Sequence, residues 1–203
     1  MLCFVNPFFQ AFDKAIKFDP SFTEVYMENG YVNLEMRKLD AARENFTKVY
    51  EKQPGNKVVI KQLMDLYYNY RQYNNATELA YKCLECQGAQ RIIGMSFYRQ
   101  EDYVKAEKAL LSALAQDPND AEATYTLART YLDMEEYKKA VPYYEKAVGM
   151  DKTKNAWMYE LGLLYFNLAN YKPAVASFNN AASMGYAQTN DFNENLGYAL
   201  LYT

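Results

Sequence analysis

The stretch "WMYELGLLYFNLANYKPAVASFNNAAS", residues 157–183, decides how this chain folds. Met158, Leu161, Gly162 and Tyr165 stand at i, i+3, i+4 and i+7, one apolar stripe along a helix. A short turn, "ANY", follows, and a second stripe begins in "PAVASFNNAA". Pro173 falls in the first turn of that second helix, where its missing N–H would have had no partner anyway. The stretch reads as a helix hairpin.

The hairpin recurs along the chain. A mostly alanine column runs Phe8, Ala42, Ala76, Ala106, Ala140 and Ala174, at intervals of 34, 34, 30, 34 and 34. Ala15, Val49, Cys83, Ala113, Ala147 and Ala181 keep the same intervals. Between them lies a mostly large column, Phe12, Phe46, Ala80, Leu110, Tyr144 and Phe178. Upstream, Gly30, Met64, Gly94, Ala128, Gly162 and Gly197 are spaced 34, 30, 34, 34 and 35. The mostly small residues of that upstream column predict close approach of the two helices in a pair, with the large residues filling the sockets. Each buried aromatic or leucine contributes ~1.5–3 kcal/mol, so stability comes from stacking unit on unit. Asp19-Pro20, Gln53-Pro54 and Asp117-Pro118 are expected to stop second helices. Pro142 sits deeper but still near a helix start, so a mild distortion at most is expected there.

Composition narrows the function classes. The formal net charge of −3 over 203 residues lacks the basic footprint of a nucleic-acid binder. No run approaches the ~18 apolar residues of a membrane span, and the opening "MLCFVNPFFQAF" lacks the basic region of a signal peptide. With no histidine, Ser-His-Asp and Cys-His catalysis and the commonest metal ligand are excluded. Glu135-Glu136 and Asp117/Asp120 pair carboxylates at expected turns, where charge is normally solvated, and no Gly-rich phosphate loop occurs. No enzyme activity, cofactor or metal site is expected. "NFT" at Asn45 and "NAT" at Asn75 fall inside second helices and read as chance matches to a glycosylation acceptor.

The units resemble the tetratricopeptide repeat, a helix–turn–helix of 34 residues with an aromatic-x2-Leu-Gly-x2-Tyr first helix and an Ala-x3-Phe-x2-Ala second helix. "LGLLY" at 161–165 and "LARTY" at 127–131 are similar to the first half, "AVPYYEKAV" and "AFDKAIKFDP" to the second. The resemblance implies an all-α, right-handed solenoid. It divides one array into a half repeat at 1–22, repeats at 23–56, 57–86, 87–120, 121–154 and 155–189, and a half repeat at 190–203. Asn29 and Asn33 depart from the pattern in apolar slots, and Ala80 replaces the large residue of the third unit. With a second helix first and a first helix last, the chain is expected to be cut from a longer array. Leu200, Leu201 and Tyr202 of one molecule could also pair with Phe8, Phe9 and Phe12 of another, a head-to-tail contact between residues 190–203 and 1–20.

The family is a scaffold for binding proteins, with ligands on the concave face lined by first helices. Helical spacing from the small column puts Tyr31, Lys61, Tyr68 and Arg91 there, then Tyr98, Arg99, Tyr125 and Arg129, then Tyr159, Phe166 and Tyr198. Tyrosine and arginine commonly anchor interfaces; the competing reading is that the tyrosines pack between helices. Truncating Tyr98, Tyr125 and Arg129 together is expected to abolish partner binding without melting the fold. The clamp with which one family subtype holds acidic chaperone tails is missing: Asp65 follows Lys61 and Met95 follows Arg91 where an Asn would be needed. The function implied is a non-catalytic protein-interaction scaffold with a protein or peptide partner, no nucleic acid and no membrane insertion. The alternative is a sensory or docking segment of a larger regulatory, envelope or carbohydrate-uptake protein. The compartment expected is cytoplasmic, or periplasmic if a native N-terminus carries a signal.

The two close cysteines, Cys83 and Cys86, admit a redox, metal or purely structural reading. Cys83 stands in a core column, Cys86 at a less decisive slot, and both near a helix C-terminus, which does not lower a thiol pKa. The expectation is two thiols acting as small hydrophobes. The interval of 30 around them predicts that the next first helix, from Ala89 after Gly88, is short, leaving a notch near Arg91.

Overall fold

The computed structural model describes residues 7–203. Every element among them is a helix: α1 Pro7–Phe18, α2 Thr23–Glu35, α3 Leu39–Lys52, α4 Lys57–Asn69, α5 Tyr73–Lys82, α6 Ala89–Arg99, α7 Tyr103–Gln116, α8 Ala121–Asp133, α9 Tyr137–Met150, α10 Asn155–Asn167, α11 Tyr171–Ser183 and α12 Asn190–Leu201. They fall into two compact units, one ending at Ser96 and one spanning Phe97–Thr203, with the boundary inside α6. In the first, α1 to α5 each pack on the next; in the second, α7 to α12 do the same. None of these helices is long and apolar enough to cross a membrane.

The periodicity of the sequence reappears in the backbone. Arg37, Arg71, Glu101, Glu135 and Ala169 follow the ends of first helices with φ of 57°, 58°, 62°, 59° and 56°. After each, the next N–H returns to a carbonyl five residues back: Lys38 to Asn33, Gln72 to Tyr67, Asp102 to Phe97, Glu136 to Tyr131 and Asn170 to Tyr165. This turn satisfies carbonyls that a helix end leaves unpaired. It normally takes glycine at the left-handed position, and here it never does at these five. Side chains close helix starts elsewhere. Asn56 accepts from the Val58 and Val59 amides, Asp120 from Ala123 and Thr189 from Phe192. Second helices end before Gln53-Pro54 and Asp117-Pro118 as expected, and α9 runs on through Pro142.

The sockets are where the columns put them. Phe46 and Phe178 are fully buried, and a Cβ on Gly30 or Gly162 would stand 2.6 Å from their rings. Hydrogen at those two positions is what lets the second helix seat. The departures of the second unit are also accommodated. Asn29 and Asn33 are buried, and Asn33 Nδ2 donates to the Asn29 carbonyl at 2.7 Å and to its Oδ1 at 2.8 Å.

Two expectations change around Gly88. α6 is indeed short, 11 residues against 13 for α4 and α8, but α5 loses more, 10 residues against 14 for α3, α7 and α9. α5 stops at Lys82 rather than at Gly88, and six residues of turn follow. The cysteines are not free thiols: Cys83 and Cys86 are joined in a disulfide. Both are buried, as core-like slots require, but the spacing that reads as chance in sequence is a covalent closure. Cys3, the third cysteine, lies outside the described residues.

Candidate functional site

The expected binding residues come from first helices: Tyr31 on α2, Lys61 and Tyr68 on α4, Arg91 on α6 in the first unit. In the second unit Tyr98 and Arg99 end α6, Tyr125 and Arg129 lie on α8, Tyr159 and Phe166 on α10, and Tyr198 on α12. Arg99 and Tyr198 are exposed and the rest are half-buried.

In the first unit these residues are engaged singly. Tyr31 meets Phe46 edge-on at 5.4 Å, and Tyr68 tilts against Tyr73 at 5.6 Å. Lys61 is paired with Asp65 at 2.9 Å on its own helix, so its charge is partly neutralised. The Arg91 guanidinium lies over Gly88, 3.4 Å from where a Cβ would project.

In the second unit Tyr98, Tyr125 and Arg129 come together. The Tyr98 hydroxyl donates to Asp133 at 2.8 Å, and the Arg129 guanidinium stands 5.8 Å above the Tyr98 ring. Tyr125 reaches both oxygens of Glu160 at 3.0 Å and is hydrogen-bonded to Arg129. Glu160 also accepts from the buried Tyr144 at 2.9 Å and lies 3.8 Å from Arg129. The Arg129 Nε is buried without a hydrogen-bond partner. Burial, then the charge of Glu160, pushes the Tyr125 phenol up to about 12. Burial and the bond to Asp133 likewise raise Tyr98 well above the ordinary phenol range. All these hydroxyls are therefore neutral donors at pH 7, and the site carries one cation between two carboxylates.

Sequence reasoning misses the partners that lock this cluster. Trp157 stacks on Tyr125 at 4.3 Å between centroids. One repeat on, Phe192 stacks on Tyr159 at 5.6 Å, and Asn195 Nδ2 donates to the Tyr159 hydroxyl at 3.0 Å. The signal lies in a further column, Val25, Val59, Ala89, Ala123, Trp157 and Phe192, aliphatic until its last two members. Glu160 stands in the slot of Glu28, Gln62, Ile92 and Thr126, and Asn195 follows it there. Tyr125 and Tyr159 are thus packed residues on much of their surface. The expected triple truncation would strip stacking and hydrogen bonds from the core, so it does not separate binding from folding.

The sequence profile of the tetratricopeptide repeat matches residues 71–121, 92–155 and 125–187, together more than half the chain. The chain belongs to the tetratricopeptide repeat family. Among solved structures this tetratricopeptide repeat protein is similar to MamA, with 25% identity and a TM-score of 0.69 over 82% of this chain and 93% of that one. YrrB, described as a TPR protein with an unusual peptide-binding site, aligns over 93% of this chain and 98% of its own at 17% identity and a TM-score of 0.69. A tetratricopeptide repeat protein of Parabacteroides merdae covers 93% of this chain and 75% of its own at 16% identity and a TM-score of 0.60. No protein with a curated description matches the sequence. Membership and these neighbours support an all-α repeat solenoid used as a protein–protein interaction scaffold, a fold that is typically non-catalytic.

Proposed function

We propose that the chain binds an extended segment of a partner protein along the first-helix face of the unit Phe97–Thr203, with Arg129 as its polar anchor. The observation that carries this reading is the Arg129 guanidinium. It is half-buried between Tyr98 and Glu160, and one N–H lacks a partner. The side chain is 36% exposed, so its outer N–H groups can meet an incoming carbonyl or carboxylate while Tyr98 and Glu160 hold the inner edge of the guanidinium. Half-buried Phe166 and exposed Tyr198 supply apolar area on α10 and α12. Peptide binding by the structural neighbour YrrB agrees with this use of the fold.

The test is selection of binders from a random peptide display library on the whole chain, followed by amide-shift mapping. Ligands are expected to perturb Tyr98, Arg129 and Phe166. Arg129→Met, which keeps an apolar stem over Tyr98, is expected to weaken binding by about tenfold or more with Tm shifted by only a few degrees. Peptides that map to the second helices, or that bind Arg129→Met undiminished, refute the reading.

The proposed head-to-tail contact would use the exposed end of α12. Leu200, Leu201 and Tyr202 are exposed, although Tyr202 stacks on Tyr171 at 5.0 Å. The side chains of Phe8 and Phe9 lie outside the described residues, and Phe12 is half-buried.

A further inference from the structure

The interval of 30 and the disulfide occupy one place. α3, α7 and α9 each end ten residues beyond their column alanine, at Lys52 from Ala42, Gln116 from Ala106 and Met150 from Ala140. Ten beyond Ala76 is Cys86, yet α5 ends at Lys82. The segment that would form its last turn, Cys83-Leu84-Glu85-Cys86, is present and is not helical. Instead it forms successive i to i+3 turns, Cys83 N–H to Ala80 O at 3.1 Å, Cys86 to Cys83 at 3.0 Å and Ala89 to Cys86 at 3.1 Å.

Geometry explains the competition. Side chains three apart on an α-helix have Cβ atoms about 5–6 Å apart, whereas a disulfide needs about 3.5–4.5 Å. The bond therefore disfavours a regular helical turn across 83–86. The chain is also too short to make both a full α5 and an ordinary connection. Residues 19–22, 53–56, 117–120 and 151–154 separate α1, α3, α7 and α9 from the next first helix, and the longer stretch 184–189 follows α11, but only Gln87 and Gly88 would remain if α5 ran to Cys86. Gly88, at φ +82°, is the residue able to take so tight a turn.

We propose that Cys83 and Cys86 form a reversible thiol–disulfide exchange site whose oxidation state sets where α5 ends. Oxidised, α5 stops at Lys82 and a six-residue connection docks against the start of α4, with Cys86 Sγ 3.8 Å from the Lys57 carbonyl and Lys57 paired with Glu85 at 3.6 Å. A dithiol reductant breaks the Sγ–Sγ bond. Each cysteine sulfur takes one electron and one proton from the reductant, which leaves as its own disulfide. The freed segment completes the last turn of α5 over residues 83–86, and Gly88 alone with Gln87 turns the chain into α6. Both cysteines are buried while Leu84 and Glu85 between them are exposed, so attack follows local opening of the turn.

The experiment compares the whole chain equilibrated with oxidised glutathione and with dithiothreitol. Intact mass is expected to show the gain of two hydrogens on reduction. Amide exchange at residues 83–86 is expected to slow by about tenfold or more in the reduced form and to recover on reoxidation. The double variant C83A/C86A is expected to exchange like the reduced protein and to ignore dithiothreitol. Should that variant fail to fold, the comparison of the two wild-type states decides alone. Free thiols at both positions under oxidised glutathione, or identical exchange at 83–86 in the two states, overturn the proposal.

Discussion

The α2–α3 and α10–α11 hairpins are built on one plan and finished differently. Each seats a phenylalanine, Phe46 or Phe178, over a glycine on its first helix, Gly30 or Gly162. Around Phe178 the finish is aromatic, with Tyr159 at 5.5 Å and Phe192 at 6.0 Å. Around α2 it is partly polar, because Asn29 stands in the leucine slot of Leu63, Leu127 and Leu161. Asn33 likewise stands where other units carry Tyr67, Phe97, Tyr131 and Tyr165. The comparison teaches that the socket defines the repeat, while the residues beside it are free to vary within what hydrogen bonding allows.

The largest test removes the shared part. Phe46→Ala and Phe178→Ala are each expected to cost about 3–5 kcal/mol in urea unfolding, since both rings are fully buried over a site that cannot collapse onto them. Phe178→Ala should fall at the upper end because two further aromatic partners lose their contact. Equal and small losses would show that the socket is not what holds the hairpins.

How much of this was legible depends on whether a residue acts within its own period. Gly30, Gly162, Phe46 and Phe178 could be read because each packs against a column member a fixed step away, so the repeat itself announces the contact. The left-handed turns were hidden: Arg37, Arg71, Glu101, Glu135 and Ala169 share no side-chain chemistry, and only the backbone reveals their common role. The cluster on Arg129 was half legible. Tyr98, Tyr125 and Arg129 follow from helical spacing, but Trp157 departs from its aliphatic column, and Glu160 stands in a mostly polar column that marks no partner. The disulfide was misread for a related reason. Cys83 fits its core column well enough that the three-residue step to Cys86 looks incidental, and the disulfide with the early end of α5 shows that the pair, not the column, governs the local path.

A medium effect is expected from the polar finish of α2. Asn33→Ala removes the donor to the buried Asn29 Oδ1 and is expected to cost about 1–3 kcal/mol. The double change Asn29→Leu with Asn33→Tyr puts back the residue types of the other units and is expected to recover wild-type stability or exceed it. The Asn33 amide bonds both the carbonyl and the Oδ1 of Asn29, so the single changes must not add up to the double. Additive losses in a double-mutant cycle would mean that α2 cannot accept the aromatic finish of α10 at all.

The smallest effect is expected where the two hairpins do not differ. Arg37 and Ala169 are both exposed and both left-handed, at φ 57° and 56°, in turns with the same hydrogen-bond pattern. A side chain at such a φ costs about 1–2 kcal/mol, and glycine removes that cost while giving back about 0.4–1 kcal/mol through a freer unfolded chain. Arg37→Gly and Ala169→Gly are therefore each expected to raise stability by about 0.5–1 kcal/mol, read as a rise in the urea midpoint. The equality matters more than the gain. Similar gains mean that the turn is a property of the repeat and that the hairpins diverge only in the layer beside the socket. A gain at Ala169 with a loss at Arg37 would place part of the difference between α2–α3 and α10–α11 in the turn itself.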